Sequence, residues 1–247
     1  MKQRPSFRQV LLLFGGLLLL WELVALPLQL AILPPPTAVI AKMTEIFIPK
    51  LCIHLYYSLG RILFGMSIAI ILGAAIGYLM GLYPRCGQLL SPLLYFTYPI
   101  PKVALLPVVM LLCGLGLLSK TVMIVLIVIF QIILTVRDAV QEIPAETFHI
   151  MQSLSANRRQ IFREVVFPAT LPALLTAARL ALGTAISILF FTETYGTSYG
   201  IGYFIMDAWL RMNYPEMYAG IFLLSLTGFV LFVLLDWLES RSCRWQK

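Results

Sequence analysis

Long apolar stretches run through most of this chain, and short polar segments separate them. A helix needs about 20 mostly apolar residues to cross a bilayer. About six stretches approach or exceed that length, at residues 10–33, 57–82, 88–116, 119–136, 168–192 and 216–238. Within each stretch the apolar residues are consecutive and do not alternate with polar ones, which favours helices over strands. The pattern therefore predicts an all-α membrane protein with about six transmembrane helices.

The composition supports this interpretation and limits the number of domains. The chain is 60% hydrophobic and 12% charged, and its mean hydropathy is +0.92. A soluble domain of 247 residues cannot bury so many apolar side chains. Once the predicted spans are set aside, no segment long enough for a separate soluble domain remains. Residues 1–247 are therefore expected to form a single transmembrane domain.

The basic residues indicate how the spans are oriented. If the N-terminus is cytoplasmic, eleven Lys and Arg residues lie on the cytoplasmic side. The five that lie outside or close to the outer face are Lys42, Lys50, Lys102, Lys120 and Arg211. This asymmetry follows the positive-inside rule and predicts that both termini are cytoplasmic. Topology then explains the formal net charge of +7, and no nucleic-acid partner is expected.

Sequence motifs of enzymes and metal sites are weak or missing. Residues 114–121 approach the phosphate-binding loop pattern, but Ser119 stands where the second glycine is required. The four cysteines are scattered without a CxxC pair, and the sequence contains no HExxH motif and no nucleophile elbow. We therefore expect no catalytic residue, no metal site and no cofactor bound by this chain.

One polar segment, at about residues 137–167, interrupts the apolar pattern on the predicted cytoplasmic side. Its first half carries an apolar stripe of residues three apart, Phe148, Met151 and Leu154. Asn157 followed by Gln160 resembles a capping box that starts a second short helix. The stripe either fits a groove on another protein or packs against this protein's own helix ends, and both alternatives suit the residues equally.

Four other segments, taken with the polar one, resemble the permeases of ABC importers. They are LPPPTAV at 33–39, PIPKVALLP at 99–107, GLGLLSK at 114–120 and ETYGTSYGIGYFIMD at 193–207. Their order along nearly the whole chain is similar to that in the inner-membrane permeases that import sulfonate, taurine, nitrate and similar small nutrients. The resemblance implies a type I ABC-importer permease fold, in which the polar segment forms the cytosolic coupling helices.

The polar segment departs from the signature of that family. The signature is Glu-Ala-Ala, three residues, Gly, nine residues and Ile-x-Leu-Pro. In this chain, His149-Ile150-Met151 stands at the Glu-Ala-Ala positions, Ser155 stands at the Gly position, and VVFP at 165–168 stands at the Ile-x-Leu-Pro positions. The spacing and the final proline match, whereas the acid, both alanines and the glycine are replaced. Ile150 and Met151 are larger than alanine and alter the packing of the two short helices, and Ser155 replaces a glycine expected to serve the turn.

The resemblance also implies partners and residue roles. The residues expected to dock on the ATPase are Phe148, His149, Ile150, Met151, Leu154 and Ser155. A cytosolic ABC ATPase dimer would bind there and hold the ATP and Mg, while an extracytoplasmic substrate-binding protein would deliver cargo near residues 193–207. A second permease subunit would complete the translocation path, with a homodimer favoured over a heterodimer. The chain would then be a multi-pass protein of the bacterial inner membrane.

Charged residues within the apolar stretches are the candidates for the translocation pathway or its gate, namely Lys102, Arg179 and Glu193. Arg179 lies roughly 16 Å into its helix, near the middle of a bilayer. Lys102 lies among prolines that interrupt its stretch, as in helices that line transport paths. The alternative for both bases is structural pairing with Glu193, Asp236 or a helix C-terminus. Arg61 is only about four residues inside its stretch and is expected to extend its head group to the interface.

These features predict the permease subunit of an ATP-driven importer that works by alternating access coupled to a separate ATPase. The two basic pathway candidates indicate a small, anionic nutrient as its cargo. The alternative is a secondary transporter driven by an ion gradient, which would need an internal repeat and buried acids for ion coupling. No convincing repeat is found. An intramembrane enzyme would need a nucleophile and a base, and the sequence lacks that combination.

Overall fold

The helices of this protein follow the predicted apolar stretches. The computed structural model describes residues 7–243, with side-chain surroundings for residues 12–243. The helices are α1 (Phe7–Leu28), α2 (Pro36–Ile46), α3 (Cys52–Leu82), α4 (Pro84–Thr97), α5 (Leu106–Cys113), α6 (Leu117–Gln141), α7 (Ala145–Ser153), α8 (Arg158–Ile161), α9 (Phe167–Glu193), α10 (Ile201–Leu210) and α11 (Tyr214–Ser242). No strand occurs between residues 7 and 243, and the predicted all-α fold is confirmed.

Four continuous helical runs in the described part of the chain are long and apolar enough to cross a membrane. They are Pro36–Leu82, Leu117–Gln141, Arg158–Glu193 and Tyr214–Ser242. α4 and the segment Lys102–Cys113 make a further candidate span that is bent by 83°, and the apolar part of α1, Leu12–Leu28, is shorter. The bend falls at Pro99 and Pro101, where the sequence predicts an interruption, because proline cannot donate the hydrogen bond that continues a helix.

Two runs extend beyond the predicted stretches because π-helical turns join neighbouring helices. The sequence predicts a span that starts at residue 57, but the helical run starts at Pro36. Its π turn, Phe47–Leu51, contains Pro49, whose ring would clash with the carbonyl four residues earlier in a regular α-helix. A second π turn, Phe162–Val166, joins α8 to α9. The second coupling helix, predicted to end near residue 167, therefore continues directly into the next span.

The core of the molecule is a close pair of parallel helices, α3 and α6. Gly65 lies against Ile124 and Gly81 lies against Val140, so residue numbers rise together along both helices. A Cβ atom added to Gly77 would lie 2.8 Å from a carbonyl oxygen of α6, which leaves no room for any larger residue. Small residues let helix backbones approach this closely in a membrane. The bent span between the two helices returns the chain to the starting side and makes the parallel arrangement possible.

α9 completes this core and runs antiparallel to α3. Its buried face has an alanine at every fourth position, at residues Ala177, Ala181 and Ala185. Near one end of α3, the Tyr78 hydroxyl lies 3.0 Å from the Thr170 hydroxyl of α9. A second apolar cluster joins α2 to α10 and α11. The bundle therefore has two ends, the one that carries α7 and the opposite one, where α9 leads into α10.

Candidate functional site

The segment expected to couple to an ATPase begins with one short, exposed helix. α7 follows Pro144, which takes the N-cap position with ψ of 135°. Its most exposed apolar side chains are Ile150 at 60% and Leu154 at 71%. Phe148 and Met151 are half-buried, and Phe148 lines a groove against α3. The predicted stripe therefore divides between the two alternatives: Phe148 faces this protein's own helices, Met151 is half-buried and Leu154 faces outward. Ile150, which is not part of the stripe, also faces outward.

The turn after α7 shows why a glycine suits this position. Ser155 has φ of +57°, a left-handed conformation that costs a residue with a side chain roughly 1 to 2 kcal/mol. The Ala156 amide donates to the Met151 carbonyl at 3.0 Å, and the Ser155 amide donates to the Gln152 carbonyl at 2.9 Å. This is the Schellman pattern that closes a helix. The serine thus adopts the backbone conformation that a glycine would adopt without strain.

The predicted capping box at the start of α8 is confirmed. The Asn157 Oδ1 atom accepts from the Gln160 amide at 2.9 Å, and the Gln160 Oε1 atom accepts from the Asn157 amide at 2.8 Å. Both hydrogen bonds satisfy amides that a helix N-terminus otherwise leaves unpaired. Together with the Schellman turn, they define the angle at which α7 meets the helical run that begins at Arg158.

A buried polar cluster lies at the opposite end of the bundle, around Glu193. This carboxylate is 0% exposed. Its Oε1 atom lies 2.6 Å from the Arg61 Nη1 atom, and it accepts hydrogen bonds at 2.8 Å from the Ser58 hydroxyl and at 2.9 Å from the Gly202 amide. Arg61 also donates to the Tyr199 carbonyl at 2.7 Å. The pair thereby ties α3 and α9 to the loop that leads into α10.

The expectation that Arg61 extends to the membrane interface is wrong. Its side chain is buried, with the residue only 4% exposed, because the carboxylate of Glu193 lies within reach on the adjacent helix. Ser58, one turn earlier on α3, also donates its hydroxyl to that carboxylate. Two polar residues at positions i and i+3 of an otherwise apolar span were the sequence signal for a buried polar face.

Glycine is required where the loop passes over this carboxylate. Gly200 has φ of +136°, and a Cβ atom there would lie 2.6 Å from the Glu193 Oε1 atom. Gly202 also has no room for a side chain, since a Cβ atom added there would lie 2.8 Å from the Cβ atom of Glu193. The segment between α9 and α10 is therefore packed closely against α9, and α10 starts directly after it, at Ile201.

Lys120 is a second buried base that sequence reasoning missed. It was expected outside or near the outer face, but it is 0% exposed in the first turns of α6. Its ammonium donates to the Leu115 carbonyl at 2.7 Å and lies 3.5 Å from the Gly196 carbonyl. Because α3 and α6 run parallel, Lys120 stands level with Arg61. Two bases and one acid are therefore buried in the same region.

Lys102 and Arg179 have partners in other parts of the bundle. The Lys102 ammonium donates to the Tyr98 carbonyl at 3.0 Å and lies 4.5 Å from the centre of the Phe130 ring. Arg179 forms ion pairs with Asp236, at 2.8 Å, and with Glu239 on α11. The structure therefore does not bring the three pathway candidates together, since each of Lys102, Arg179 and Glu193 has a separate set of partners.

An ionic network around the buried carboxylate of Glu216 lies at the end of α10. The Arg211 guanidinium donates to Asp207 at 3.0 Å and to Glu216 at 3.1 Å. These hydrogen bonds raise the pKa of Arg211 above its ordinary value. Lys50 approaches the other oxygen of Glu216 at 2.8 Å. The network joins three segments at the end of the bundle opposite α7. Within residues 12–243, no cluster of His, Cys, Asp and Glu has the arrangement of a metal site.

Comparisons with known proteins agree on one family. The family described as "Binding-protein-dependent transport system inner membrane component" matches residues 65–242. The taurine transport system permease protein of Escherichia coli (strain K12) is 31% identical and covers 98% of this chain and 92% of its own length. The formylaminopyrimidine transport permease protein of Halalkalibacterium halodurans is 29% identical and covers 100% of this chain and 99% of its own length.

A solved structure is similar in fold. A chain of the MetNI methionine ABC transporter, in an inward facing conformation, superposes with a TM-score of 0.61 at 21% sequence identity. The similarity covers 78% of this chain and 94% of that chain. The predicted type I importer fold is thereby confirmed.

Proposed function

The chain belongs to the family of binding-protein-dependent transport system inner membrane components, and we propose that it carries a small anionic nutrient of the sulfonate, taurine or nitrate type. Proteins of this family are permease subunits of ABC transporters, so a separate subunit hydrolyses ATP. The observation that carries the proposal is the similarity over 98% of this chain to a permease for taurine, whose sulfonate group is an anion.

The environment of Lys102 supports an anionic cargo. The residue is half-buried at the break between α4 and α5. Its ammonium contacts a carbonyl and two aromatic rings, and no carboxylate among residues 12–243 pairs with it. A charged base in a membrane segment is costly unless something neutralises it. Arg61 and Arg179 already have acidic partners. Lys120 has only carbonyl partners but is fully buried, whereas Lys102 is partly exposed, so Lys102 is the base that a passing anion could reach.

The exposed face of α7 supports a docking role for this segment. Ile150 and Leu154 present apolar surface next to polar residues of the same helix, and such a face fits an apolar groove on another protein. We assign the contact to the cytosolic ATPase, with Phe148, His149, Met151 and Ser155 completing or supporting the surface. ATP and Mg would then be held by that partner, and closure of its subunits would move α7 and, through α8, the long helix α9.

A second copy of this chain forms the other half of the translocation path, and both termini are cytoplasmic. The substrate-binding protein approaches the end of the bundle opposite α7, where Arg211 and Lys50 are exposed. Transport proceeds by alternating access, because a bundle with two packings opens to one side at a time.

Reconstitution of the purified complex tests the proposed function. We expect the tagged chain to co-purify with an ATPase. In proteoliposomes that contain the binding protein, labelled taurine, another sulfonate or nitrate should then enter only when ATP is supplied. Competition by sulfonates and nitrate, but not by neutral pyrimidines, would support the anionic class. Uptake driven by a proton gradient without ATP would contradict the proposal and favour a secondary transporter.

Substitutions on α7 test the docking surface separately. Ile150→Asp and Leu154→Asp place a charge in the proposed contact and should abolish ATPase co-purification, while the chain still reaches the membrane in normal amounts. Gln152→Asp is the matched control, because Gln152 is an exposed polar residue on the opposite face of the same helix. Normal ATPase binding in both apolar-to-Asp variants would remove α7 from the interface.

A further inference from the structure

An open groove of about 1000 Å³ separates the α7 end of α3 from the α7–α8 segment. One wall is an exposed apolar face of α3, which includes Ile71, Ala75 and Leu79. These residues are four apart and therefore line one side of the helix. The opposite wall contains Phe162, whose ring contacts the Tyr78 ring edge-on at 5.1 Å. The groove is thus apolar along its length and open at its side.

The length of the groove matches one leaflet of a bilayer. From Ile71 to Tyr83 the α3 wall extends about 18 Å, at 1.5 Å per residue. Half of a hydrocarbon core of about 30 Å is roughly 15 Å. Tyr83, an exposed aromatic residue directly after α3, suits the boundary between hydrocarbon and water. An acyl chain of the leaflet next to α7 would therefore fit along this wall.

Two arginines stand at the same end of the groove as Tyr83. Arg158 and Arg159 line the groove and are exposed. Arg158 lies one turn before Phe162, on a helical run antiparallel to α3, which puts it beyond Tyr78 towards the end of α3. Neither guanidinium has an ion pair among residues 12–243. The nearest acid in sequence, Glu164, pairs with Arg163 at 3.7 Å. Two positive charges at the mouth of the groove are thus free to meet an anion.

We propose that this groove binds one anionic phospholipid, with an acyl chain along α3 and the phosphate at Arg158 and Arg159. Basic pockets between transmembrane helices, at the level of the headgroups, have the charge that anionic lipids require. A soluble anion would not need the apolar wall, and a neutral lipid would not need the two arginines. The site is independent of the transported cargo, so failure of the proposed function would leave it untouched.

Lipid retention by the full-length chain tests the site. The purified protein is placed in nanodiscs of phosphatidylcholine with a minor fraction of phosphatidylglycerol, and the lipids that remain bound are counted by native mass spectrometry. We expect one phosphatidylglycerol per chain to be retained preferentially. The double variant R158Q/R159Q should reduce that preference roughly thirtyfold, because each basic residue at an anionic surface contributes about 1 kcal/mol, or about fivefold in binding. Arg163→Gln is the matched control, since it removes the same charge outside the groove.

A second variant separates groove binding from general attraction to the surface. Ala75→Trp adds bulk to the exposed wall without a change in charge and should also displace the lipid, while the melting temperature stays close to that of the wild type. Equal loss in R163Q, or retention of phosphatidylcholine as strong as that of phosphatidylglycerol, would overturn the proposal. A disulfide between two copies of an Ala75→Cys variant would also overturn it, because a second chain would then cover the groove.

Discussion

Removal of Glu193 should destabilise the protein far more than the loss of one acid from a surface. The carboxylate is fully buried and pairs with the guanidinium of Arg61 at 2.6 Å. In Glu193→Leu the arginine keeps only neutral partners, and the Ser58 hydroxyl and the Gly202 amide lose their acceptor. Breaking a buried pair from one side costs about 3 to 5 kcal/mol, since the remaining charge is left uncompensated. Arg61→Leu should cost a similar amount for the same reason.

A double-mutant cycle measures how much of this cost belongs to the pair. The free energy of unfolding of the full chain is measured by reversible unfolding in mixed micelles for both single variants and for the double variant. The double variant no longer contains an isolated buried charge, so its loss should be smaller than the sum of the two single losses by about 2 to 3 kcal/mol. The exposed pair Asp207 and Arg211 is the matched control, with an expected coupling of roughly 0.3 to 0.5 kcal/mol.

Additive losses would refute this reasoning. If the double variant lost the full sum within about 0.5 kcal/mol, then Arg61 and Glu193 would not stabilise the fold through each other. The geometric contact would remain, but it would carry no coupling energy. A coupling as small as that of the exposed control pair would lead to the same conclusion, because burial is the reason for expecting a larger one.

Three further substitutions test other parts of the structure. Ser155→Gly removes left-handed strain from the turn after α7 and should raise the free energy of unfolding by about 1 kcal/mol; no gain would contradict the strain. Gly77→Ala should lower thermal stability, because the added Cβ atom would lie 2.8 Å from an α6 carbonyl oxygen. Gly60→Ala is its control: a Cβ atom there would have no neighbour within 4 Å, so thermal stability should be unchanged or slightly higher. Lys102→Ala should reduce ATP-dependent uptake at least several-fold without altering assembly. Lys42→Ala, which removes a partly exposed base paired with Glu45, should leave uptake unchanged. Normal uptake by the Lys102 variant would exclude the residue from the pathway.

Properties that depend on short stretches of chain were predictable from the sequence. A continuous run of apolar residues must be a helix inside a bilayer, because only a helix satisfies its backbone hydrogen bonds locally. The capping box of Asn157 and Gln160 joins residues three apart, so its pattern was sufficient to predict it. The prolines at 99 and 101 likewise predicted the break in the third stretch. Family membership followed from the order of such local features along the chain.

Contacts between distant segments could not be predicted in this way. Arg61 and Glu193 are 132 positions apart, and the hydropathy of their spans is compatible with many helix arrangements. The expected position of Arg61 was wrong, and the burial of Lys120 was not predicted, because a charge near the end of an apolar stretch can reach water or a buried partner equally well. Only the packing of neighbouring helices chooses between these outcomes.

The sequence by itself determined the helical membrane fold, its family and the position of the polar segment between two spans, because these follow from local hydropathy, spacing and capping. The tertiary structure alone decided that α3 and α6 lie close together in parallel, which depends on which glycines face which neighbours. That arrangement brings Arg61 and Lys120 level with each other beside Glu193. The tertiary structure also decided that Phe148 turns towards a groove while Ile150 and Leu154 stay exposed, since the direction of a side chain depends on where the next helix packs.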